Sequence, residues 1–585
     1  MRRISAFLVL ASIFFSSNLF SQRLMDSVTS TFLKMKMPVG TVRQRSADSL
    51  RRTTALLDSF TVFKDYALNK YSAESFYVPN YDSLKARLDR NKFTINRFSG
   101  TDFYSIRKDS LTYLAVIKPG DQQTMVSMKP LSVESSSSPF AQTNKIVASD
   151  RVISTEFGRA VALTNNYAVV GVRLEDNDAT GKNPLLDAGA AYIYERGSDN
   201  KWKQVQKLVA SDRSKGANFG WSASISGNTI VVGAIYEAFD ATGRNEAKSD
   251  GAAYVFERGA DGIWKQTQKL LSSAREGYNY FGTAVGIDEN IIAVSAPGHS
   301  RDTTEKQEGY LGDAGAIFVF EKRGTNWRRT YKLVANDRQL GAGLGNSVAI
   351  SGNYIIAGAM GQHTDANNGN RMETAGAAYI WERLEDGKWS KAKKLAASDR
   401  SGWDEFGFSV AIDGDNAVVG AKGVTLKRTD ENNDPNSGEA YIFSRNENGV
   451  WKEVLAIIPN DRKDRDLFGN SVGISGNYAI VGSPVGDTKN RDVGVIYIYW
   501  KNPKGNWIQS QKIAAADERN FSNFGGAVAL HKSFIITGAH IEPRDAAGKN
   551  ELSNAGAAYI FTRSQKGTAN PVTPKPAPKP PAIKN

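Results

Sequence analysis

The sequence predicts an all-β chain dominated by a seven-bladed β-propeller of four-stranded antiparallel blades, with a small N-terminal α+β module ahead of it. Three observations lead there: a recurring Phe-Gly pair, a constant four-strand pattern after each pair, and complementary ends of the array. Phe157-Gly158 returns as Phe219-Gly220, Phe281-Gly282, Leu344-Gly345, Phe406-Gly407, Phe468-Gly469 and Phe524-Gly525, with glycine intervals of 62, 62, 63, 62, 62 and 56 residues. Seven copies at so steady a period mark a repeat architecture whose units bury their faces against one another.

The second copy shows the pattern. Its first strand covers 219–225 and ends in the turn Ser226-Gly227-Asn228; the second, 229–234, is an apolar β-branched run. A longer polar loop leads to the third strand, 251–258, and the fourth carries Trp264, Gln268, Lys269 and Leu270. Strands of 5–8 residues with turn residues between them leave no room for helical crossovers, so each unit is an antiparallel meander. The second and third strands are apolar on both faces, as in sheets covered on both sides by neighbouring blades.

The ends of the array favour a closed ring. The tryptophan strand follows six copies, at Trp202, Trp264, Trp327, Trp389, Trp451 and Trp507, and is missing after the seventh. An orphan version, with Phe140, Gln142, Lys145 and Ile146, stands 62 residues ahead of Trp202, Gln204, Lys207 and Leu208. The orphan is expected to complete the last blade, which removes the exposed sheet edges of an open stack.

The repeat hallmarks are read as structural. The Phe-Gly pairs seat a ring between blades and let backbones approach near the axis. The tryptophans pack between adjacent blades, each contributing roughly 1.5–3 kcal/mol of burial. Lysines of the fourth strand, such as Lys201, Lys203 and Lys207, are expected to protect the outer edge from sheet-to-sheet pairing.

Composition agrees with many short strands: 53 glycines, 10 Trp, 22 Tyr and 27 Phe in 585 residues. Residues 1–21 read as an export signal, with Arg2 and Arg3 before an apolar stretch, Ala6 to Phe15, too short to span a bilayer. No later segment approaches 18 uninterrupted apolar residues, so no transmembrane segment is expected. The chain has no cysteine, which excludes disulfides, thiol catalysis and Cys-ligated zinc. Its net charge of +13 would attract acidic glycans or lipid head groups. No nucleic-acid-binding motif accompanies that charge, so nucleic acid is not an expected partner.

In the flanking region 22–139, Ser46 to Tyr71 has helical spacing, and strands 111–117 and 124–128 are expected to flank a hairpin turn at Pro119-Gly120-Asp121. Ser135 to Pro139 reads as a linker to the propeller, 140–563. The tail 564–585 is read as extended, with six prolines between Pro571 and Asn585.

These residues resemble the FG-GAP repeats of the integrin α-chain propeller and its bacterial relatives, through Phe-Gly, the Val231-Val232-Gly233-Ala234 stretch and runs such as Gly556-Ala557-Ala558-Tyr559-Ile560-Phe561. The resemblance spans about residues 140–563 and implies an extracellular binding platform. One departure stands out. Integrin-type repeats often carry an Asp-x-Asp-x-Asp-Gly calcium loop between the first two strands, whereas here Ser226-Gly227-Asn228, Ser351-Gly352-Asn353 and Ser475-Gly476-Asn477 are too short to supply six oxygens. No cofactor is therefore expected at that connection, and calcium stays an alternative only elsewhere.

In a four-strand meander the loops between strands two and three share a face with the loops that lead into strand one, and both sets are long here. Seven residues after the second-strand glycine, or Ser295, lies Asp178, Asp240, Asp302, Asp365 or Asp545. These aspartates read first as Asx-turns. They are also the candidate ligand-binding residues, for a cation or a polar ligand. A second recurrent acid, Asp150, Asp212, Asp337, Asp399, Asp461 or Asp517, has an arginine beside it in five cases and suggests a local pair. The four histidines fall at unmatched repeat positions and no catalytic motif is present, so no catalytic residue is assigned. The expected function is a non-catalytic binding or adhesion scaffold outside the cytoplasm (secreted, periplasmic or on the cell surface), with a protein or an acidic glycan of the cell envelope as partner. A structural component of an envelope complex and a polysaccharide-acting hydrolase or lyase are the alternatives.

Overall fold

The computed structural model describes residues 139–425, 436–459, 461–463, 465–488 and 491–563, together with six strands nearer the N-terminus. It divides into two units, 1–135 and 136–585.

The first unit contains one antiparallel sheet in which Thr124–Leu131 lies between Ser75–Val78 and Leu111–Pro119. Leu111–Pro119 and Thr124–Leu131 pair with each other as expected, while the turn residues Gly120 and Asp121 lie outside the described residues. Phe103–Lys108 and Thr94–Arg97 continue the sheet on one side, and Thr41–Val42 ends it on the other. The export signal over 1–21, the helix over 46–71 and the tail over 564–585 lie outside the described residues.

The second unit is the propeller: seven four-stranded antiparallel sheets. Blades are numbered here by their Phe-Gly pair. Blade 2 consists of Phe219–Ser226, Thr229–Ala234, Ala252–Arg258 and Trp264–Leu270, each strand paired to the next. In blade 7, Ala527–His531, Phe534–Ala539 and Ala557–Arg563 are joined by Phe140–Ile146, whose residues pair from Ala558↔Ile146 to Arg563↔Phe140. The orphan strand thus closes the ring. Among the described residues no α-helix appears, and the single 3₁₀ turn is Gln307–Gly309.

Blade contacts follow from the repeat. Phe157, Phe219, Phe281, Leu344, Phe406, Phe468 and Phe524 are buried. Most bridge in parallel to the glycine before the third strand of the preceding blade, as in Gly189↔Phe219 and, across the closure, Gly556↔Phe157. Second-strand glycines allow the next blade to come close: a Cβ on Gly171 would lie 2.1 Å from the Gly220 carbonyl oxygen, and one on Gly538 would lie 1.9 Å from that of Gly158. The outer tryptophans pack inward as expected. Trp264 meets Tyr167 of blade 1 edge-on at 5.5 Å, while Arg258 covers the same ring at 5.4 Å. Trp202 meets Phe534, and Trp451 meets Tyr354, in the same way.

Two readings need correction. Lys201 and Lys203 are exposed on the outer edge, but the Lys207 side chain is only 6% exposed and ends in an ion pair. It points into the blade because the bulge at Val205, where the pairing steps from Gln204↔Tyr194 to Gln206↔Ile193, reverses the alternation of sides along the strand. In blade 4 the outer strand is cut to Lys393–Leu395. There the Ser390 hydroxyl accepts from the Glu382 backbone N–H while Ser390 N–H donates to Glu382, so local side-chain bonding displaces the regular ladder.

Candidate ligand-binding face

The alternating strand directions place the long second-to-third-strand loops and the loops leading into each first strand on one face of the propeller. Beneath these loops lies a repeated polar core. Lys207 Nζ sits 2.8 Å from Asp150 and 3.3 Å from Glu175, and the Tyr192 hydroxyl donates to Asp150 at 2.8 Å. Lys269 holds Asp212 and Glu237 likewise, and Lys145 holds Asp517 and Glu542. Burial pushes the Asp150 carboxyl upward, but hydrogen bonds from Lys207 and Tyr192 outweigh it and hold it below its usual value. Burial next to these acids raises the Tyr192, Tyr254 and Tyr559 phenols far above their usual value.

Blade 3 changes several members at once. Ala274 occupies the aspartate position, Phe318 the tyrosine and His299 the glutamate. Lys332 instead approaches Glu305 at 2.9 Å and His299 Nε2 at 2.6 Å, and His299 Nδ1 lies 3.0 Å from Asn279 Oδ1. Burial, with Lys332 alongside, lowers the His299 imidazole to about 4.

The arginines next to the second acid do not pair with it. Arg151 donates to the Pro543 and Asn550 carbonyls, Arg213 to Asp176 and Asn183, and Arg338 to Ser300 and Gly309. Each guanidinium clasps the long loop of the preceding blade. Its planar fork suits two carbonyls, while the neighbouring aspartate is already taken by lysine and tyrosine.

Asp178, Asp240, Asp302, Asp365 and Asp545 sit half-buried in five separate loops and organise those loops from within. Asp178 Oδ1 accepts from Thr180 N–H at 2.8 Å and Lys182 N–H at 3.2 Å, and Oδ2 accepts from Asn183. Asp240 and Asp545 repeat the arrangement, Asp365 accepts from Asn367, Gly369 and Asn370, and Asp302 accepts from Thr304. Hydrogen bonds, led by that from Asn183, hold the Asp178 carboxyl well below its usual value, and Thr242 leads the same effect on Asp240. Among the described residues no group of three His, Asp or Glu side chains is placed to hold a metal ion.

A set of residues the sequence reading passed over lies in the loops leading into the first strands. Three positions before each Phe-Gly pair the backbone is left-handed: Ser154, Gly216, Tyr278, Gly341, Trp403, Arg465 and Phe521, with φ between 57° and 74°. Bulky side chains avoid this region, so Tyr278, Trp403 and Phe521 are held there against preference. Cross-blade bonds supply the restraint: Tyr278 N–H donates to Lys248, Trp403 to Glu373 and Phe521 to Asp492. Their side chains are 50%, 63% and 62% exposed. Tyr280 joins Tyr278 to Tyr236, and Tyr236 meets Trp221, whose ring Arg159 and Arg173 cover at 5.1 and 5.0 Å. The signal was legible in the alignment of copies, where aromatics alternate with Gly216 and Gly341 at one repeat position.

A closed seven-bladed propeller with one face of long loops and exposed aromatic rings defines the class of protein as a repeat scaffold. The FG-GAP repeat model matches residues 140–194, 202–256, 264–320, 327–381, 389–443, 451–499 and 507–561. The chain belongs to the FG-GAP repeat family. Each matched unit begins on an outermost strand and ends on the third strand of the next blade, so the sequence repeat is offset by one strand from the structural blade. No curated protein matches the chain in sequence. Among the described residues no helix is long and apolar enough to cross a membrane.

Proposed function

We propose that this protein is an exported, non-catalytic scaffold that binds a protein or an acidic glycan of the cell envelope through its long-loop face. The observation that carries this reading is the exposure of Tyr278, Trp403 and Phe521 at a strained backbone position where blades 2 and 4 have glycine. Strain of this kind persists where a surface is specified for contact rather than for stability. Large exposed aromatic rings contribute contact area at low entropic cost and are enriched at the centres of interfaces. Asp178, Asp240, Asp302, Asp365 and Asp545, half-buried in their loops, are the acidic acceptors of the same face. The non-catalytic reading is supported by the burial of His299 against Lys332, a structural engagement for a residue that would otherwise be a candidate base.

The test compares full-length protein with a Tyr278→Ala/Trp403→Ala/Phe521→Ala variant, each immobilised and offered envelope proteins and an array of acidic and neutral glycans. The proposal expects a ligand retained by the first and lost by the second at equal melting temperature. Retention by both would overturn it.

A further inference from the structure

The seams between blades are not equivalent, and the one between blades 3 and 4, one of four without an outer glutamine clamp, holds a cleft on the outer rim. At three other seams an outer-strand glutamine clamps the next outer strand through both backbone groups. Gln206 accepts from Trp264 N–H at 2.9 Å and donates to its carbonyl at 2.7 Å; Gln268 does the same to Trp327, and Gln511 to Phe140. A second glutamine, Gln204 or Gln266, ties the strand to Ser149 or Ser211. In blade 3 the glutamine that reaches forward is replaced by Tyr331 and the one that reaches back by Arg329, and the facing outer strand of blade 4 is the shortened one, held across the seam by Asn336 donating to the Ala392 carbonyl at 2.9 Å. A cleft of about 430 Å³ results, walled by Glu321, Arg323, Arg328, Arg329, Tyr331 and Arg383.

The charge in this cleft is unbalanced. Glu321 pairs with Arg383 at 2.9 Å and Arg323 at 3.6 Å, and Asp386 is engaged by Lys388. Among the described residues neither Arg328 nor Arg329 has a carboxylate within ion-pair distance, and both are exposed. Guanidinium forks are matched to carboxylate, sulfate and phosphate oxygens, which they bind through two parallel hydrogen bonds.

We propose that this cleft binds the carboxylate or sulfate groups of an acidic polysaccharide, with Arg328, Arg329 and Arg383 as donors and the Tyr331 ring as the wall against a sugar face. Its volume falls in the roughly 300–1,000 Å³ range of small-ligand sites, which suits a short segment of a flexible chain. A folded partner would need about 800 Å² of surface on each side. The site lies apart from the long-loop face and stands or falls independently of it.

The experiment titrates the full chain with a sulfated oligosaccharide, an oligogalacturonate, a neutral dextran oligomer, inorganic sulfate and single-stranded DNA by calorimetry. Both acidic oligosaccharides are expected to bind and dextran is not. Arg328→Ala/Arg329→Ala is expected to weaken that binding about tenfold or more, as loss of charge-assisted hydrogen bonds does. Lys201→Ala/Lys203→Ala on the outer strand of blade 1 is expected to change it less than about twofold. Equal loss in the lysine variant would show diffuse attraction to a basic surface and overturn the proposal. Binding within about twofold of the original in the arginine variant, DNA binding as tight as the glycans, or inorganic sulfate binding as tight as the oligosaccharides would overturn it too.

Discussion

Lys145 Nζ lies 2.7 Å from Asp517 Oδ2, an ion pair between residues 372 positions apart in the chain. It repeats the Lys207–Asp150 and Lys269–Asp212 pairs. Here, however, the lysine comes from the strand ahead of the first repeat and the acid from the last turn of the ring. The closing strand therefore carries the same buried polar core as an internal blade strand, in addition to Phe140 and Ile146, which are 3% and 4% exposed.

Replacing Lys145 by Met is expected to lower stability by about 2 kcal/mol. Stranding a buried charge costs about 3–5 kcal/mol, but Asp517 is 28% exposed and Glu542 keeps Arg544 at 2.6 Å. Deleting 140–146 is expected to cost more and to expose the third strand of blade 7. Thermal melts of the three proteins read the order directly; a deletion variant that melts with the original would remove the case for closure.

Two glycines separate packing from backbone conformation. Gly538→Ala places a Cβ 1.9 Å from the Gly158 carbonyl oxygen at the blade 7 to blade 1 seam and is expected to prevent native assembly. Gly352→Ala, at φ +52° with nothing within 4 Å, is expected to cost only about 1–2 kcal/mol for left-handed backbone. Circular dichroism and melting of the two variants test the contrast.

Stability should fall on mild acidification, in part through His299. Its native pKa of about 4 lies below the ordinary value of 6.5, so between those pH values the unfolded chain binds the extra proton. The contribution is complete above pH 6.5 and is lost as pH falls toward 4, on the order of 3 kcal/mol at most. His540, lowered to about 4 by burial and Arg159, acts in the same direction, while Asp466, raised to about 6 by burial, opposes it. His299→Gln, the residue blade 4 has at Gln362, is expected to flatten the decline in melting temperature from pH 7 to pH 5. An unchanged slope would contradict this assignment.

Trp403→Gly is expected to raise stability by about 0.5 kcal/mol. Relief of left-handed strain gains about 1–2 kcal/mol, and the greater freedom of glycine in the unfolded chain takes back about 0.5–1. Trp403→Ala keeps the strain and loses little burial, so its melting temperature should stay near the original. Gain of stability with loss of ligand would mark the residue as held for contact.

Blade number, strand order and closure were legible because they rest on residues that recur: Phe-Gly pairs set the count, and the orphan Phe140 to Ile146 matched Trp202 to Leu208 position for position. The Asx-turn reading of Asp178 and its counterparts was equally local, since the donors lie two to five residues away. Lys207 misled because a lysine near a sheet edge reads the same whether its ammonium faces water or a buried Asp150. Arg151 misled because its acceptors, Pro543 and Asn550, belong to the far end of the chain.

The amino-acid sequence by itself determined the ring, since period, strand alternation and the complementary ends are properties of order along the chain. Only the tertiary structure decided which side chains face solvent at the mouth of the loops and which seam holds a cleft. Those outcomes depend on contacts between blades, where Tyr278, Trp403 and Phe521 are held by carbonyls of the preceding blade and where Tyr331 packs against the apolar seam at the position from which Gln268 clamps the next strand.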